Sequence, residues 1–208
     1  MRSFTMTHAC LSGWADSAAS SCEIVRLTEE TLKGWLSQAH DVQRHWVEAN
    51  GFEAKPRQWL ALPGADGLIE TVLFGCVADD PMALGGLASQ LPEGVYHVEG
   101  LSALEALSWV LEGYRFDVYL EPKPLKAHLI VPDELEREAL TAWANSIAWG
   151  RDLINRPTQD LSPLHLAQEA EALCKAYEAS ITVIQDNLAS DFPAVHAVGR
   201  AAVSPSCL

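Results

Sequence analysis

Apolar positions acquire a pattern only near Glu23; residues 1–22, rich in Ser, Ala and Thr, show no period and are expected to form a loose leader. Glu23 to Leu27 reads as a short strand, and Thr28 can cap a helix in which Leu32, Trp35 and Leu36 recur at helical spacing. A second helical piece over 43–50 stops at Gly51, which can close a helix in the left-handed conformation. Gln58 to Leu62 and Leu68 to Val77 are apolar, β-prone runs. Pro63-Gly64-Ala65-Asp66-Gly67 between them supplies turn chemistry, so the two predict a hairpin. Pro81 to Gln90 reads as helix despite Gly85 and Gly86, Val95 to Val98 as strand, and Ser102 to Tyr114 as helix, with Ser102 as cap and Glu105 at the third position. Ala127 to Val131 reads as a buried strand. Strands alternating with helices predict an α/β domain with a mixed sheet over 23–132.

Beyond Pro132 the pattern becomes one long helix over 133–154, with Asp133 as cap and Leu135, Ala139, Trp143 and Ile147 on one face. Its length of roughly 30 Å suits a linker between domains. Pro157 stops it. Ser162-Pro163 restarts a helix as cap and first residue, carrying Leu164, Ala167, Ala170, Leu173 and Cys174 on one side as far as Ala179, and Ser180 to Ile184 reads as the next strand. No internal repeat or low-complexity segment occurs.

Composition narrows the class. Hydrophobic residues make up 49% of the 208 residues and charged ones 20%, a globular balance. The formal charge of -14, with basic residues scattered, argues against a nucleic-acid partner. Polar residues break up the first twenty positions, so no signal peptide is read, and no run approaches the roughly 20 apolar residues of a membrane span. The five cysteines, Cys10, Cys22, Cys76, Cys174 and Cys207, lack CxxC spacing and suit reduced thiols; a cytoplasmic location is expected.

Few residues offer chemistry. His165 and Glu169 lie four apart on a helix, a spacing that can present two metal ligands, but no third ligand follows, so they read as an ordinary solvated pair. His40 and His45 read as surface residues. Glu169, Glu171 and Glu178 do not share one helix face as paired carboxylates would, and read as solubilising. Cys76, inside an apolar run, reads as core rather than nucleophile. Trp35, Trp46, Trp59, Trp109, Trp143 and Trp149 fall mostly on apolar faces and are expected to fill the core and the domain junction. Gly85-Gly86 lacks phosphate-loop spacing, and Arg151 and Asp152 read as structural.

Two stretches carry more than secondary structure. Arg151-Asp152-Leu153-Ile154-Asn155-Arg156-Pro157, followed by Leu161-Ser162-Pro163, is similar to the segment that opens the catalytic domain of leucyl aminopeptidases. Phe192 to Ala202, with Val198-Gly199-Arg200, resembles that domain's first strand and turn. Trp109 to Tyr119 resembles the end of the amino-terminal domain in the bacterial branch of the same family.

The resemblance implies an amino-terminal domain like macro domains in fold (23–132), a linker helix (133–154) and the start of a metallopeptidase catalytic domain (155–208). The family reaction it implies is hydrolytic release of amino-terminal residues from peptides by two divalent metal ions, zinc or manganese, in homo-oligomers that are typically hexamers. The carboxylates, lysines and arginine of that chemistry lie in family motifs downstream of Val198-Gly199-Arg200. No catalytic, cofactor-binding or metal-binding residue is therefore assigned here, and the expectation is a truncated aminopeptidase, inactive alone and prone to self-association. The alternatives are a non-catalytic binding or regulatory module built on the macro-like domain, and a decayed or misread gene.

Overall fold

The structure is a computed structural model that describes residues 12–18, 20–119 and 123–201. It divides into two compact units, with the boundary between Ala148 and Trp149.

The first unit is built on one six-stranded mixed sheet with strands β1 (Trp14–Ala15), β2 (Cys22–Leu27), β3 (Trp59–Pro63), β4 (Ile69–Gly75), β5 (Gly94–His97) and β6 (Ala127–Ile130), in the order β1-β6-β5-β2-β4-β3. Only β3 runs antiparallel to its neighbour, because the predicted turn folds it directly onto β4 as a hairpin; every other pairing is parallel. Parallel strands need crossovers, supplied by helices α1 (Glu29–Gln38), α2 (Asp41–Ala49), α3 (Gly85–Ala88) and α4 (Ala103–Glu112). Alternate side chains along the central strands serve opposite faces. Ile24, Val72 and Phe74 pack with Leu84, Leu87 and Trp109, whereas Leu27 and Leu73 pack with Leu32, Val47 and Phe52. The helices start where the sequence places caps. Thr28 Oγ1 accepts from Thr31 N at 3.2 Å, and Ser102 Oγ accepts from Glu105 N at 3.3 Å while Glu105 returns to Ser102 N at 2.9 Å.

Several expectations for this unit are corrected. The leader contains a strand, β1, whose Trp14 pairs with Leu129 and donates its indole N–H to Ala106 O at 3.0 Å. A two-residue strand held by distant partners has no local period to betray it. The helix expected over 81–90 shrinks to α3, since adjacent glycines weaken a helix. Gly85 is needed for close packing instead: a Cβ there would lie 3.0 Å from Ser108 O on α4.

The long helix α5 (Arg137–Asn155) begins four residues after the expected cap at Asp133, and its buried positions are Leu140, Ala144, Ala148 and Asp152, one residue along from the predicted face. Trp143 and Ile147 are exposed. Small alanines let α5 approach α4, where Ala144 meets Leu107, Val110 and Leu111. The tryptophans accordingly do not all fill the core: Trp109 is fully buried, whereas Trp46 and Trp143 are exposed.

The second unit holds the end of α5, then α6 (Pro163–Ala176), α7 (Leu188–Asp191) and α8 (Pro193–Gly199). Both strands expected here are absent among the described residues. Residues 179–185 form neither helix nor strand, and Phe192 to Val198 lies largely in helix α8. A strand needs a neighbour for its N–H and C=O groups, and among the described residues this unit has no strand. The second segment bonds within itself instead, through His196 N to Phe192 O at 3.1 Å, with Pro193 in the first turn, where its missing N–H costs nothing.

Candidate functional site

In open α/β sheets ligands bind beyond the carboxyl ends of parallel strands, at the point where successive connections diverge. Here the chain leaves β2 toward β4 and leaves β5 toward β6, on opposite sides, so that point lies between β2 and β5. A crevice of about 510 Å³ opens beside it, lined by Arg26 from β2, Cys76, Asp79 and Asp80 from the segment after β4, and Ser102 and Glu105 from the start of α4.

Its chemistry is dominated by internal pairing. The Arg26 guanidinium donates to the Glu105 carboxylate and to Glu99 O at 2.7 Å. The other carboxylate oxygen of Glu105 accepts from Ser102 N at 2.9 Å and Ser102 Oγ at 2.7 Å. Burial opposes ionisation of Glu105, but the bonds from Ser102 and Arg26 outweigh it and hold the carboxyl below its ordinary range. Glu105 thus occupies the start of α4, where an anion would otherwise be favoured. Burial pushes the Cys76 thiol up, which disfavours a nucleophilic thiolate. Its Sγ contacts Leu27 O at 3.5 Å and it packs against the core. Sequence reading found Glu105 as a cap but missed Arg26, because the two are 79 residues apart and nothing local links them.

In the second unit the candidate ligand pair is committed elsewhere. His165 serves as the third residue of a capping box: its N–H donates to Ser162 Oγ at 3.4 Å and its Nδ1 accepts from Ser162 N at 3.3 Å. Glu169 is buried rather than solvated, at 6% exposure, and pairs with Arg156 at 2.5 Å. The burial has a clear source: Arg156 is itself only 14% exposed, so the pair is desolvated together. These two residues do not fit a metal site. Glu171 and Glu178 are exposed, as are His40 and His45. Asp152 is buried on α5, in keeping with a structural part. Among the described residues no group of three or more His, Cys, Asp or Glu side chains is placed to hold a metal ion.

The fold and site define a doubly covered, mixed-sheet α/β domain followed by a helical unit. The profile of the M17 aminopeptidase N-terminal domain matches residues 22–132, more than half of the 208-residue chain. A protein named "Probable cytosol aminopeptidase" from Rhizobium rhizogenes is 30% identical over 185 residues, covering 77% of this chain and 35% of that protein. The crystal structure of the cytosol aminopeptidase from Coxiella burnetii matches with a TM-score of 0.84 and 29% identity, over 91% of this chain and 43% of that one. An M17 aminopeptidase from Trypanosoma brucei, at 17% identity and a TM-score of 0.64, covers 96% of this chain and 49% of its own, and shares the fold. The chain belongs to the M17 aminopeptidase family. It spans about a third of the length of the curated relative it matches.

Proposed function

We propose that this chain is a non-catalytic portion of an M17 leucyl-aminopeptidase-type metallopeptidase, and that by itself it does not hydrolyse peptides. The observation that carries the reading is the extent of the match: the profile over 22–132 is that of the family's N-terminal domain, and 57% of the Coxiella chain lies outside the superposed part. The side chains that sequence spacing offered as metal ligands support it, because His165 and Glu169 are held by Ser162 and Arg156. In this reading the two divalent metal ions and the peptide substrate belong to the remainder of the family chain, which supplies the Lewis-acid chemistry. Assembly into the family's homo-oligomer also rests there. A cytoplasmic location fits the name of the Rhizobium relative, and among the described residues no helix is long and apolar enough to cross a membrane. Hydrolysis of leucine amide with added zinc or manganese tests the reading; turnover that follows the chain through repurification would overturn it.

A further inference from the structure

The sheet of the first unit is open, with β1 and β3 at its two ends. An unpaired edge strand offers its backbone N–H and C=O groups to any extended chain. At one end β1 is only 2 residues long, which leaves little edge to copy. At the other, β3 runs for 5 residues, Trp59-Leu60-Ala61-Leu62-Pro63, and among the described residues no strand lies beyond it. It carries no charged side chain, the usual deterrent to edge pairing.

The ladder shows which groups β3 turns outward. Gly75 N donates to Gln58 O at 2.8 Å, so the hydrogen-bonded pairs of the hairpin start there. Bonded and non-bonded pairs alternate in an antiparallel ladder, so Leu60, opposite Leu73, and Leu62, opposite Thr71, turn their backbone groups toward β4. Trp59, Ala61 and Pro63 turn theirs away from it. Pro63 has no N–H to offer. Ala61, in the middle, has its carbonyl taken, because Trp46 on α2 donates its indole N–H to Ala61 O at 3.0 Å. The neighbouring Val47 anchors α2 in the cluster that holds Leu62, on one face of the sheet. Trp46 is 42% exposed, so core burial does not explain its placement, whereas the bond to the edge does.

We infer that the Trp46 indole is a guard that closes the β3 edge to an antiparallel strand from a second copy of this chain. Self-pairing is the threat because β3 is complementary to itself. A two-fold axis through Ala61 sets each Ala61 opposite its counterpart, N–H to C=O in both directions, and sets each Trp59 N–H opposite a Pro63 C=O. That register asks no N–H of Pro63, so the proline alone does not prevent it. It does require the Ala61 carbonyl at its centre, the group the indole occupies.

The test follows self-association of the full chain by sedimentation velocity over a concentration series, with hydrogen exchange on the same samples. Trp46→Ala should self-associate about tenfold more tightly than the parent, the scale of one or two freed backbone hydrogen bonds. Exchange at residues 59 and 61 should slow as concentration rises. Adding Ala61→Pro removes the outward N–H while sparing the bonds to β4, and should return the variant to the parent's behaviour. Trp46→Phe, which keeps a ring on α2 but has no N–H, is read in place of Trp46→Ala if that variant does not fold, and is expected to tighten association in the same direction. Parent-like association of the Trp46 variant would overturn the inference. So would tighter association that survives Ala61→Pro, or that leaves exchange at residues 59 and 61 unchanged, since either would place the new contact away from the β3 edge.

Discussion

Replacing Gly75 by alanine should damage the first unit more than any other single methyl added to it. Gly75 ends β4, and a Cβ there would lie 2.1 Å from Lys55 O and 2.6 Å from Ala54 C. These are backbone atoms, so no flexible side-chain tip can swing aside. The backbone that must move is tied to Gly75 by two hydrogen bonds of 2.8 Å, Arg57 N to Gly75 O and Gly75 N to Gln58 O. Overpacking costs about 1–3 kcal/mol, sometimes more, and each strained bond about 1 kcal/mol, giving a loss of roughly 3–5 kcal/mol. That is a large share of the ~5–15 kcal/mol that stabilises a typical domain. Gly34→Ala is the matched control: Gly34 lies within α1 with nothing within 4 Å of its added Cβ, so helix propensity alone should stabilise by about 0.5–1 kcal/mol. Urea denaturation of the full chain, monitored by tryptophan fluorescence, measures both. A Gly75→Ala loss below about 1 kcal/mol, or the same sign for both variants, would refute the close approach of β4 to residues 54–55.

Glu105→Gln should destabilise by about 1.5–3 kcal/mol at neutral pH, the range for hydrogen bonds to a charged group. Because the folded carboxyl lies below its ordinary range, its contribution is present above the unfolded value near pH 4.5 and is lost as pH falls through the lower folded value; parent and variant should therefore converge in acid denaturation, and a constant gap would contradict the pairing with Arg26. Ala144→Leu should cost about 1–3 kcal/mol by overpacking the α4–α5 contact, whereas Trp143→Ser on the exposed face should change thermal stability by less than about 0.5 kcal/mol; reversed effects would restore the face read from sequence. Limited proteolysis should cut within residues 155–190 before it cuts the sheet of the first unit, since among the described residues the apolar clusters lie in that sheet's unit; equal resistance, read by mass spectrometry, would show that the helical unit is self-sufficient.

What the sequence made legible was local. The caps at Thr28, Ser102 and Ser162 and the hairpin turn at 63–67 are short-range chemistry, and each appears where its residues stand. Long-range features were hidden: β1 exists because of Leu129 and Ala106, and the Arg26–Glu105 pair joins residues that no periodicity relates. The buried face of α5 lies one residue along from the one the helical period marks. Large apolar residues at 143 and 147 mark the solvent side, and alanines at 144 and 148 mark the packed side. The strands expected at 180–184 and 192–198 failed for a different reason, since their propensity is real but strand formation needs a partner within reach. Among the candidate site residues, sequence spacing set His165 and Glu169 one helical turn apart, yet could not show that Ser162 and Arg156 already engage them.

The most direct test of the functional account is leucine-amide hydrolysis by the purified chain at saturating manganese or zinc, run beside the full-length Coxiella cytosol aminopeptidase under identical conditions. The account predicts robust metal-dependent turnover by the Coxiella enzyme and a rate for this chain indistinguishable from buffer. A metal-dependent rate that co-elutes with the chain through two further chromatographic steps, and that chelation abolishes, would contradict it.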